Sequence, residues 1–263
     1  MACIFVDIDG TLIGGPSCEG RFALYLLKRG RLGPYQLARA AAFVPRGLIR
    51  YGRHVFKKNK AYLAGLGVEA VAGLARAFVD EVLLPRLRRR LIERLEIHKS
   101  SGETIVLLTG APDFIARPLG ERLGADDWCA TKCVAREGVY TADPPAVHPF
   151  AEAKLEFAGD ICRQNGWELS ECWAYADSAY DLALLEGVGR PVAAYPDRTL
   201  ARVARDRGWE VLADALPSPK RSSGFAQAGA DPGLPSPKRS IGFAQAGDGG
   251  HAPAAPTDEA IKG

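Results

Sequence analysis

The stretch from Ile4 to Thr11 constrains the fold of this chain more than any other. An apolar run leads directly into two carboxylates, a glycine and a hydroxyl. The pattern predicts a buried first strand over residues 3–8, with Asp7 and Asp9 two residues apart and therefore on the same side. Two carboxylates this close repel each other unless a cation or a proton lies between them. Because ligands bind at the carboxyl ends of strands in open α/β sheets, the stretch is a candidate metal-assisted catalytic centre. The alternative is an Asp-Gly turn that closes an ordinary strand, with both acids solvated.

The hydrophobic pattern beyond this strand predicts the fold class. Residues 17–100 repeat apolar side chains at threes and fours without a strand-like run, which indicates helices. From Thr104 onward, short apolar runs alternate with helical segments, and this alternation predicts a parallel sheet covered on both faces. The fold class is therefore α/β, a Rossmann-like parallel sheet with an inserted all-helical cap. The predicted domains are a core of residues 1–14 and 101–215 and a cap of residues 15–100.

The segment from residue 216 to 263 is predicted to be a disordered, low-complexity tail. Leu-Pro-Ser-Pro-Lys-Arg-Ser at 216–222 recurs 18 residues later at 234–240, and Gly-Phe-Ala-Gln-Ala-Gly follows both copies. Two copies rich in Pro, Gly and Ser do not build a repeat architecture. The Ser-Pro-Lys-Arg motif is also compatible with DNA-phosphate contact or phosphorylation, but composition favours a plain disordered tail.

Cysteine usage and hydropathy limit the cellular compartments in which the protein is expected. The six cysteines include no CxxC pair and no zinc-like grouping with histidines. A reduced, cytoplasmic localisation is the simplest account. No apolar run reaches membrane-spanning length, and Asp7 arrives too early for a signal peptide. We therefore expect a soluble protein without a transmembrane segment, and peripheral membrane contact stays open.

The charge of the chain is unevenly distributed. Residues 12–100 carry 18 Lys and Arg against 6 Asp and Glu, whereas residues 101–215 carry 11 against 19. A basic insert beside an acidic body suggests anionic ligands. The alternative is a solvated helical surface with no partner.

Three later features occur where a site in an α/β fold requires them. Thr109-Gly110 follows a buried apolar run and precedes a helix, an arrangement that holds phosphate. Lys154 lies on the helix predicted from residue 150 and would neutralise an anionic intermediate. Asp177 ends another strand, and Asp181 follows one helical turn later. Taken singly, each has a structural alternative: a helix cap, a surface lysine or an N-cap.

Together these features resemble a known family. Asp7-Ile8-Asp9-Gly10-Thr11, Thr109, Lys154 and Asp177-Ser178-x-x-Asp181 resemble the four motifs of haloacid-dehalogenase-superfamily phosphatases. The helical insert between the first two motifs resembles the cap of the phosphoserine-phosphatase-like branch, subfamily IB. The resemblance covers residues 3–212.

The resemblance implies a mechanism of phosphomonoester hydrolysis. Asp7 would attack phosphorus and form an aspartyl-phosphate. Asp9 would protonate the leaving alcohol and then activate water. The implied cofactor is Mg²⁺, with its ligands drawn from the Asp7 carboxylate, the Asp9 backbone carbonyl, Asp177 and Asp181, the last of these directly or through water. The implied phosphate-binding groups are Thr109, Gly110 N–H and Lys154.

The chain departs from the pattern of phosphoserine phosphatases at three places. Those enzymes usually carry a Glu soon after the first motif, where this chain has residues 14–17, Gly-Gly-Pro-Ser. They favour Ser-Gly-Gly at the second motif and Asn before the final Asp, where this chain has Thr109-Gly110-Ala111 and Tyr180. The expected substrate is therefore another small or lipid-derived phosphorylated metabolite. The basic cap residues either recognise a second anionic group or are solvated, and the residues in question are Arg53, Lys57, Lys58 and Lys60.

Two other functions remain as alternatives. The first is a phosphotransferase of the same fold, which passes the phosphoryl group to an alcohol other than water. The second is a non-catalytic module whose basic cap binds an anionic surface. Intact Asp7 and Asp9 argue against the second, and nucleic acid is not an expected partner.

Overall fold

The centre of the fold is a sheet of six parallel strands. The computed structural model describes residues 3–52 and 55–214, so the predicted tail at 216–263 lies outside the described residues. In chain order the strands are β1 (Cys3–Val6), β2 (Thr104–Pro112), β3 (Asp127–Thr131), β4 (Ala135–Arg136), β5 (Val139–Tyr140), β6 (Trp173–Ala176), β7 (Arg190–Ala194) and β8 (Glu210–Leu212). The sheet order is β3-β2-β1-β6-β7-β8, and β4 and β5 form a separate antiparallel hairpin.

The strand order creates a switch point beside β1. The chain first adds β2 and β3 on one side of β1 and later adds β6, β7 and β8 on the other side. Ligands of open α/β sheets bind at such a point, outside the carboxyl ends of the strands. The residues that follow β1 and β6 therefore face the expected binding crevice.

Helices cover both faces of the sheet, as predicted. Between β1 and β2 the helices are α1 (Cys18–Lys28), α2 (Pro34–Tyr51), α3 (Val55–Lys58), α4 (Val68–Phe78) and α5 (Arg89–Ser100). The later helices are α6 (Asp113–Leu123), α7 (Ala153–Asn165), α8 (Leu182–Gly187) and α9 (Arg198–Arg207). Ile4 and Val6 pack into a core shared with α1, α4, α5 and α6, whereas Cys3 and Phe5 face α7, α8 and α9. The α/β fold class is confirmed.

The described residues between β1 and β2 form helices joined by loops and turns, with no strand among them. Its core is continuous with the layer over the sheet, because the ring of Phe22 on α1 lies 5.2 Å from Phe78 on α4 and 5.2 Å from Phe114 on α6. The division into core and cap near residues 15 and 100 stays a prediction. No helix in the described ranges is long and apolar enough to cross a bilayer.

The first strand is shorter than predicted. It ends at Val6, two residues before the predicted end at residue 8. The Gly10 N–H donates to the Ile13 carbonyl over 2.8 Å, and the Ile13 N–H donates to the Ile8 carbonyl over 3.0 Å. These bonds close a tight loop immediately after Asp7, which directs the following residues over the edge of the sheet.

Candidate active site

A buried lysine joins two of the predicted acids. The Nζ atom of Lys154 donates to Oδ1 of Asp7 over 2.7 Å and to Oδ2 of Asp181 over 2.8 Å. Asp7 follows β1, Lys154 lies in the first turn of α7, and Asp181 ends a short turn after β6. Lys154 is 2% exposed, which rules out a surface lysine. Burial disfavours its ammonium, but Asp181 and Asp7 outweigh burial and raise the pKa of Lys154.

Asp177 completes a cluster of three carboxylates. One oxygen each of Asp7, Asp177 and Asp181 lies within 4.8 Å of the others. Burial, together with the charges of Asp7 and Asp181, raises the pKa of Asp177 to about 7. Burial and Asp7 raise the pKa of Asp181 to about 6, although Lys154 opposes this shift. The single ammonium of Lys154 does not balance three carboxylates, so the cluster has an excess of negative charge.

The cluster has the chemistry of a site for a hard divalent cation. The atoms that could bind a metal are carboxylate oxygens, which Mg²⁺ prefers. The raised pKa values indicate that the carboxylates repel one another, and a second cation would neutralise this negative charge. These residues therefore fit Mg²⁺. The Asp9 carboxylate is not a member of the cluster, so its backbone carbonyl stays the predicted ligand atom.

Gly10 is required at its position for two reasons. Its φ is +89°, in the left-handed region that favours glycine. A Cβ built on Gly10 would lie 1.9 Å from Oδ2 of Asp177. Any side chain at position 10 therefore displaces Asp177. The Thr11 hydroxyl donates over 3.2 Å to Oδ1, the other carboxylate oxygen of Asp177, and so holds this side chain in place.

Asp9 is oriented by the start of the helical insert. Its Oδ1 accepts a hydrogen bond of 2.6 Å from the backbone N–H of Cys18, the first residue of α1. Burial raises the pKa of Asp9, although this hydrogen bond opposes the shift. Asp9 and Asp7 line the same cleft, which has a volume of about 530 Å³. An acid with a raised pKa beside Asp7 is suited to proton transfer.

Thr109 and Gly110 line the same cleft, on β2. The strand was predicted to end at these residues but continues to Pro112, with an irregular register against β3 after Leu108. The Thr109 side chain is fully buried, and its oxygen accepts from the Ala111 N–H over 3.1 Å. Its hydroxyl hydrogen is free to donate to an anion in the cleft.

A buried ion pair at the cleft was missed by sequence reasoning. Lys60 is 1% exposed and forms an ion pair with Oε2 of Glu19, and the buried Tyr62 hydroxyl interacts with the same carboxylate. Lys60 is therefore not solvated, which makes that alternative wrong for this residue, and recognition of a second anionic group by Lys60 stays a prediction. Glu19 follows residues 14–17 closely in sequence and lies on α1.

The other basic cap residues are placed differently. Lys57 lines the cleft, with its Nζ 5.7 Å from the centre of the Phe150 ring. Burial and then Lys60 lower the pKa of Lys58. Arg53 lies outside the described residues.

His148 presents an acceptor to the cleft. The Thr131 hydroxyl has one hydrogen, which it donates to the Gly110 carbonyl over 2.7 Å. It therefore accepts from Nδ1 of His148, at 2.8 Å, which assigns the ring proton to Nδ1. The buried Nε2 has no partner among the described residues. Burial, followed by the charges of Lys58, Lys60 and other lysines, lowers the pKa of His148 to about 3, so the ring is neutral.

Comparison with known proteins gives concordant results. A family model described as haloacid dehalogenase-like hydrolase matches residues 4–186. The chain is 32% identical over 223 residues to the inhibition of morphological differentiation protein of Streptomyces azureus, covering 79% of this chain and 76% of that protein. It is 29% identical over 220 residues to a phosphoserine phosphatase of Mycobacterium tuberculosis, covering 80% and 70%.

A further curated relative and a solved structure extend the comparison. A probable phosphatase of Mycobacterium tuberculosis is 29% identical over 168 residues, which cover 61% of this chain and only 58% of that protein. A crystal structure of a protein with unknown function from Bordetella pertussis Tohama I superposes with a TM-score of 0.68 at 27% identity. The match covers 81% of this chain and 98% of that one.

Proposed function

The chain belongs to the haloacid dehalogenase-like hydrolase family, and we propose that it is a Mg²⁺-dependent phosphomonoesterase in which Asp7 is the nucleophile. The observation that carries the proposal is the meeting of Asp7, Asp177 and Asp181 within 4.8 Å at the switch point of the sheet, with Lys154 paired to Asp7 and Asp181. A buried carboxylate can attack phosphorus there, while the ammonium of Lys154 and a cation held by the neighbouring acids would stabilise the transferring phosphoryl group.

Asp7 would carry the covalent step. Its free carboxylate oxygen attacks phosphorus, the bond from phosphorus to the ester oxygen breaks, and an aspartyl-phosphate forms. The ammonium of Lys154, which holds Oδ1 of Asp7 at 2.7 Å, fixes the direction of this attack. Lys154, the Thr109 hydroxyl and the Gly110 N–H hold the phosphoryl oxygens while their charge redistributes.

Asp9 would move the protons. In the first step it donates a proton to the leaving oxygen, and in the second it accepts one from the water that attacks phosphorus. Its raised pKa favours the protonated form that the first step needs, and the Cys18 N–H holds its other oxygen in place. Inorganic phosphate is then released and Asp7 is regenerated.

The metal site would consist of residues already described. Asp7, Asp177, Asp181 and the Asp9 backbone carbonyl would hold Mg²⁺, with Asp181 bound directly or through water. Mg²⁺ bound there would neutralise charge on the phosphoryl oxygens. Thr11 and Gly10 keep the Asp177 carboxylate in position for this role.

Metal dependence gives the first test. Hydrolysis of an aryl phosphate is expected to require Mg²⁺ and to stop on chelation with EDTA.

The pKa values of Asp177 and Asp181 also predict how stability depends on pH. They are about 7 and about 6 in the folded state, above an unfolded value of 3.8, so between pH 3.8 and these values the folded state binds more protons than the unfolded state. Their contribution to the stability of the metal-free protein is therefore present at low pH and lost as the pH rises through 6 to 7.

Protons and Mg²⁺ compete for these carboxylates, so the stabilisation by Mg²⁺ has the opposite pH dependence. The rise in Tm on adding Mg²⁺ is expected to be largest near pH 8 and to shrink toward pH 5. Asp177→Asn removes most of this rise. Activity that persists in EDTA, or a rise in Tm that is the same at both pH values, would contradict the metal proposal.

The far end of the cleft would select the leaving group. Glu19, Tyr62 and His148 line this part of the cleft. Lys60 and the Tyr62 hydroxyl already pair with Glu19, whereas Nε2 of His148 is an acceptor without a partner in the described part of the chain. The charges of Lys58, Lys60 and Lys57 disfavour a further positive charge at His148, so the site favours neutral donors such as hydroxyls over an ammonium group.

A substrate comparison tests this preference. We expect kcat/KM for hydroxyl-rich phosphomonoesters, such as glycerol or sugar phosphates, to exceed kcat/KM for phosphoserine by about tenfold or more. The loss of one good hydrogen bond to a buried acceptor has an effect of about this size. His148→Phe removes the acceptor and is expected to raise KM for the preferred substrates while hydrolysis of an aryl phosphate changes little. A preference for phosphoserine would contradict the assignment.

A further inference from the structure

The outward face of α2 is apolar although it faces solvent. At 100° per residue one continuous face of this helix contains Tyr35, Leu37, Ala38, Ala41, Ala42, Pro45, Leu48 and Ile49. All eight are exposed and none is charged; Ile49 is 92% exposed. The opposite side of the helix packs inward at Gly47, where a Cβ would meet Val55 of α3 at 2.5 Å. Contiguous apolar surface of this kind marks an interaction site.

Three arginines run along one edge of this face. Arg39, Arg46 and Arg50 are exposed and spaced at helical intervals, and they line a groove of about 250 Å³ together with Phe43 and Tyr51. Within the described ranges, no carboxylate lies at ion-pair distance from any of the three. Residues 20–68 contain no Asp or Glu, so neither α2 nor α3 carries an acidic side chain.

We propose that this face of α2 docks on the surface of an anionic phospholipid bilayer. A helix that lies in the membrane interface combines an apolar face with arginines that reach the lipid phosphates at its edge. A second copy of the chain fits less well, because pairing this face with itself would bring arginines toward arginines. The proposal concerns binding alone and does not depend on the proposed catalytic function.

The side of α2 opposite the docking surface packs against α3, through Gly47 and Val55. Phe56 and Lys57 of α3 line the cleft of the candidate active site. The docking surface is therefore separate from the cleft, and binding to a bilayer leaves the α3 side of α2 uncovered.

Vesicle sedimentation with the full chain tests the proposal. The wild type is expected to pellet with vesicles of phosphatidylglycerol and phosphatidylcholine and to stay in solution with pure phosphatidylcholine. Leu48→Ser/Ile49→Ser is expected to weaken partitioning about tenfold or more, from the lost apolar contact. Arg39→Gln/Arg46→Gln/Arg50→Gln is expected to weaken it about a hundredfold at low salt. Circular dichroism and hydrolysis of a water-soluble aryl phosphate report that both variants are folded.

Matched controls carry the same changes elsewhere. Ile97→Ser on α5 and Arg198→Gln/Arg202→Gln/Arg205→Gln on α9 alter exposed residues outside the surface and are expected to bind like the wild type. Wild-type binding by the α2 variants would overturn the proposal and assign any lipid binding to another part of the chain, such as the two Lys-Arg pairs of the tail. Equal pelleting with neutral vesicles, no pelleting at all, or a dimer that the Leu48→Ser/Ile49→Ser change dissociates would also overturn it.

Discussion

Asp7→Asn is expected to lower kcat for phosphomonoester hydrolysis by about 10⁴-fold or more, because removal of a covalent nucleophile usually has an effect of this size. The amide nitrogen and oxygen occupy nearly the same space as the carboxylate, but the amide is not a nucleophile at neutral pH. It also leaves Lys154 with one carboxylate partner instead of two. Steady-state kinetics with a saturating aryl phosphate and Mg²⁺ measures the effect.

A matched control separates chemistry from folding in this experiment. Asp160→Asn changes an exposed aspartate of α7 whose one ion pair within the described ranges is with Arg163, and its kcat is expected to equal that of the wild type. Thermal unfolding of Asp7→Asn should remain cooperative. Retention of more than about one hundredth of wild-type kcat by a folded Asp7→Asn protein would exclude Asp7 as the nucleophile.

Lys154→Met is expected to destabilise the metal-free protein by about 3–5 kcal/mol, the usual cost of removing one partner from a buried ion pair. The methionine leaves Asp7, Asp177 and Asp181 within 4.8 Å of one another without their ammonium. Chemical denaturation in EDTA measures the free energy of unfolding. The same change is expected to lower kcat with Mg²⁺ by about 10²-fold or more, since a cation at the phosphoryl oxygens is lost.

A second variant distinguishes charge balance from packing. Lys154→Met/Asp181→Asn removes one negative charge along with the positive one, so part of the lost stability is expected to return while activity does not. Lys132→Met changes an exposed lysine and should alter stability by less than about 0.5 kcal/mol. A Lys154→Met protein that is as stable as the wild type would contradict the electrostatic account of the cluster.

Much of the fold was readable from local sequence because local signals were strong. The pattern of residues 198–207 predicts a helix, and the structure has α9 at Arg198–Arg207. The Asp197 side chain accepts from the Leu200 N–H and caps its start, and Gly208 adopts a left-handed φ of 68° at its end. Apolar runs at 128–134, 172–176, 191–195 and 209–212 predict strands, and β3, β6, β7 and β8 begin and end within three residues of these bounds.

The candidate site was predictable in outline because strand ends carried its residues. Asp7 and Asp177 follow β1 and β6, and parallel strands bring such positions to one edge of a sheet. The motifs alone do not show that β1 pairs with β6, which lies more than 160 residues later in the chain. The topology of the sheet shows this pairing. The roles of these residues in catalysis stay predictions until they are measured.

The Glu19–Lys60 pair was not predictable from sequence spacing. Its partners are 41 residues apart in a segment of short helices and turns, where no periodic pattern fixes which side chains face inward. Lysine is seldom fully buried, so composition favoured a solvated Lys60. Likewise, the exposed apolar face of α2 has a helical period but points away from the core, which only the structure reveals.

Chemical trapping of the covalent intermediate tests the central claim most directly. Turnover is quenched in acid, the protein is treated with borohydride, which reduces an acyl phosphate to an alcohol, and the peptides are sequenced by mass spectrometry. The account predicts homoserine at position 7 in the presence of substrate and Mg²⁺, and unmodified aspartate there when either is omitted. Homoserine at another acid, or none at position 7 during active turnover, would contradict the assignment of Asp7 as the nucleophile.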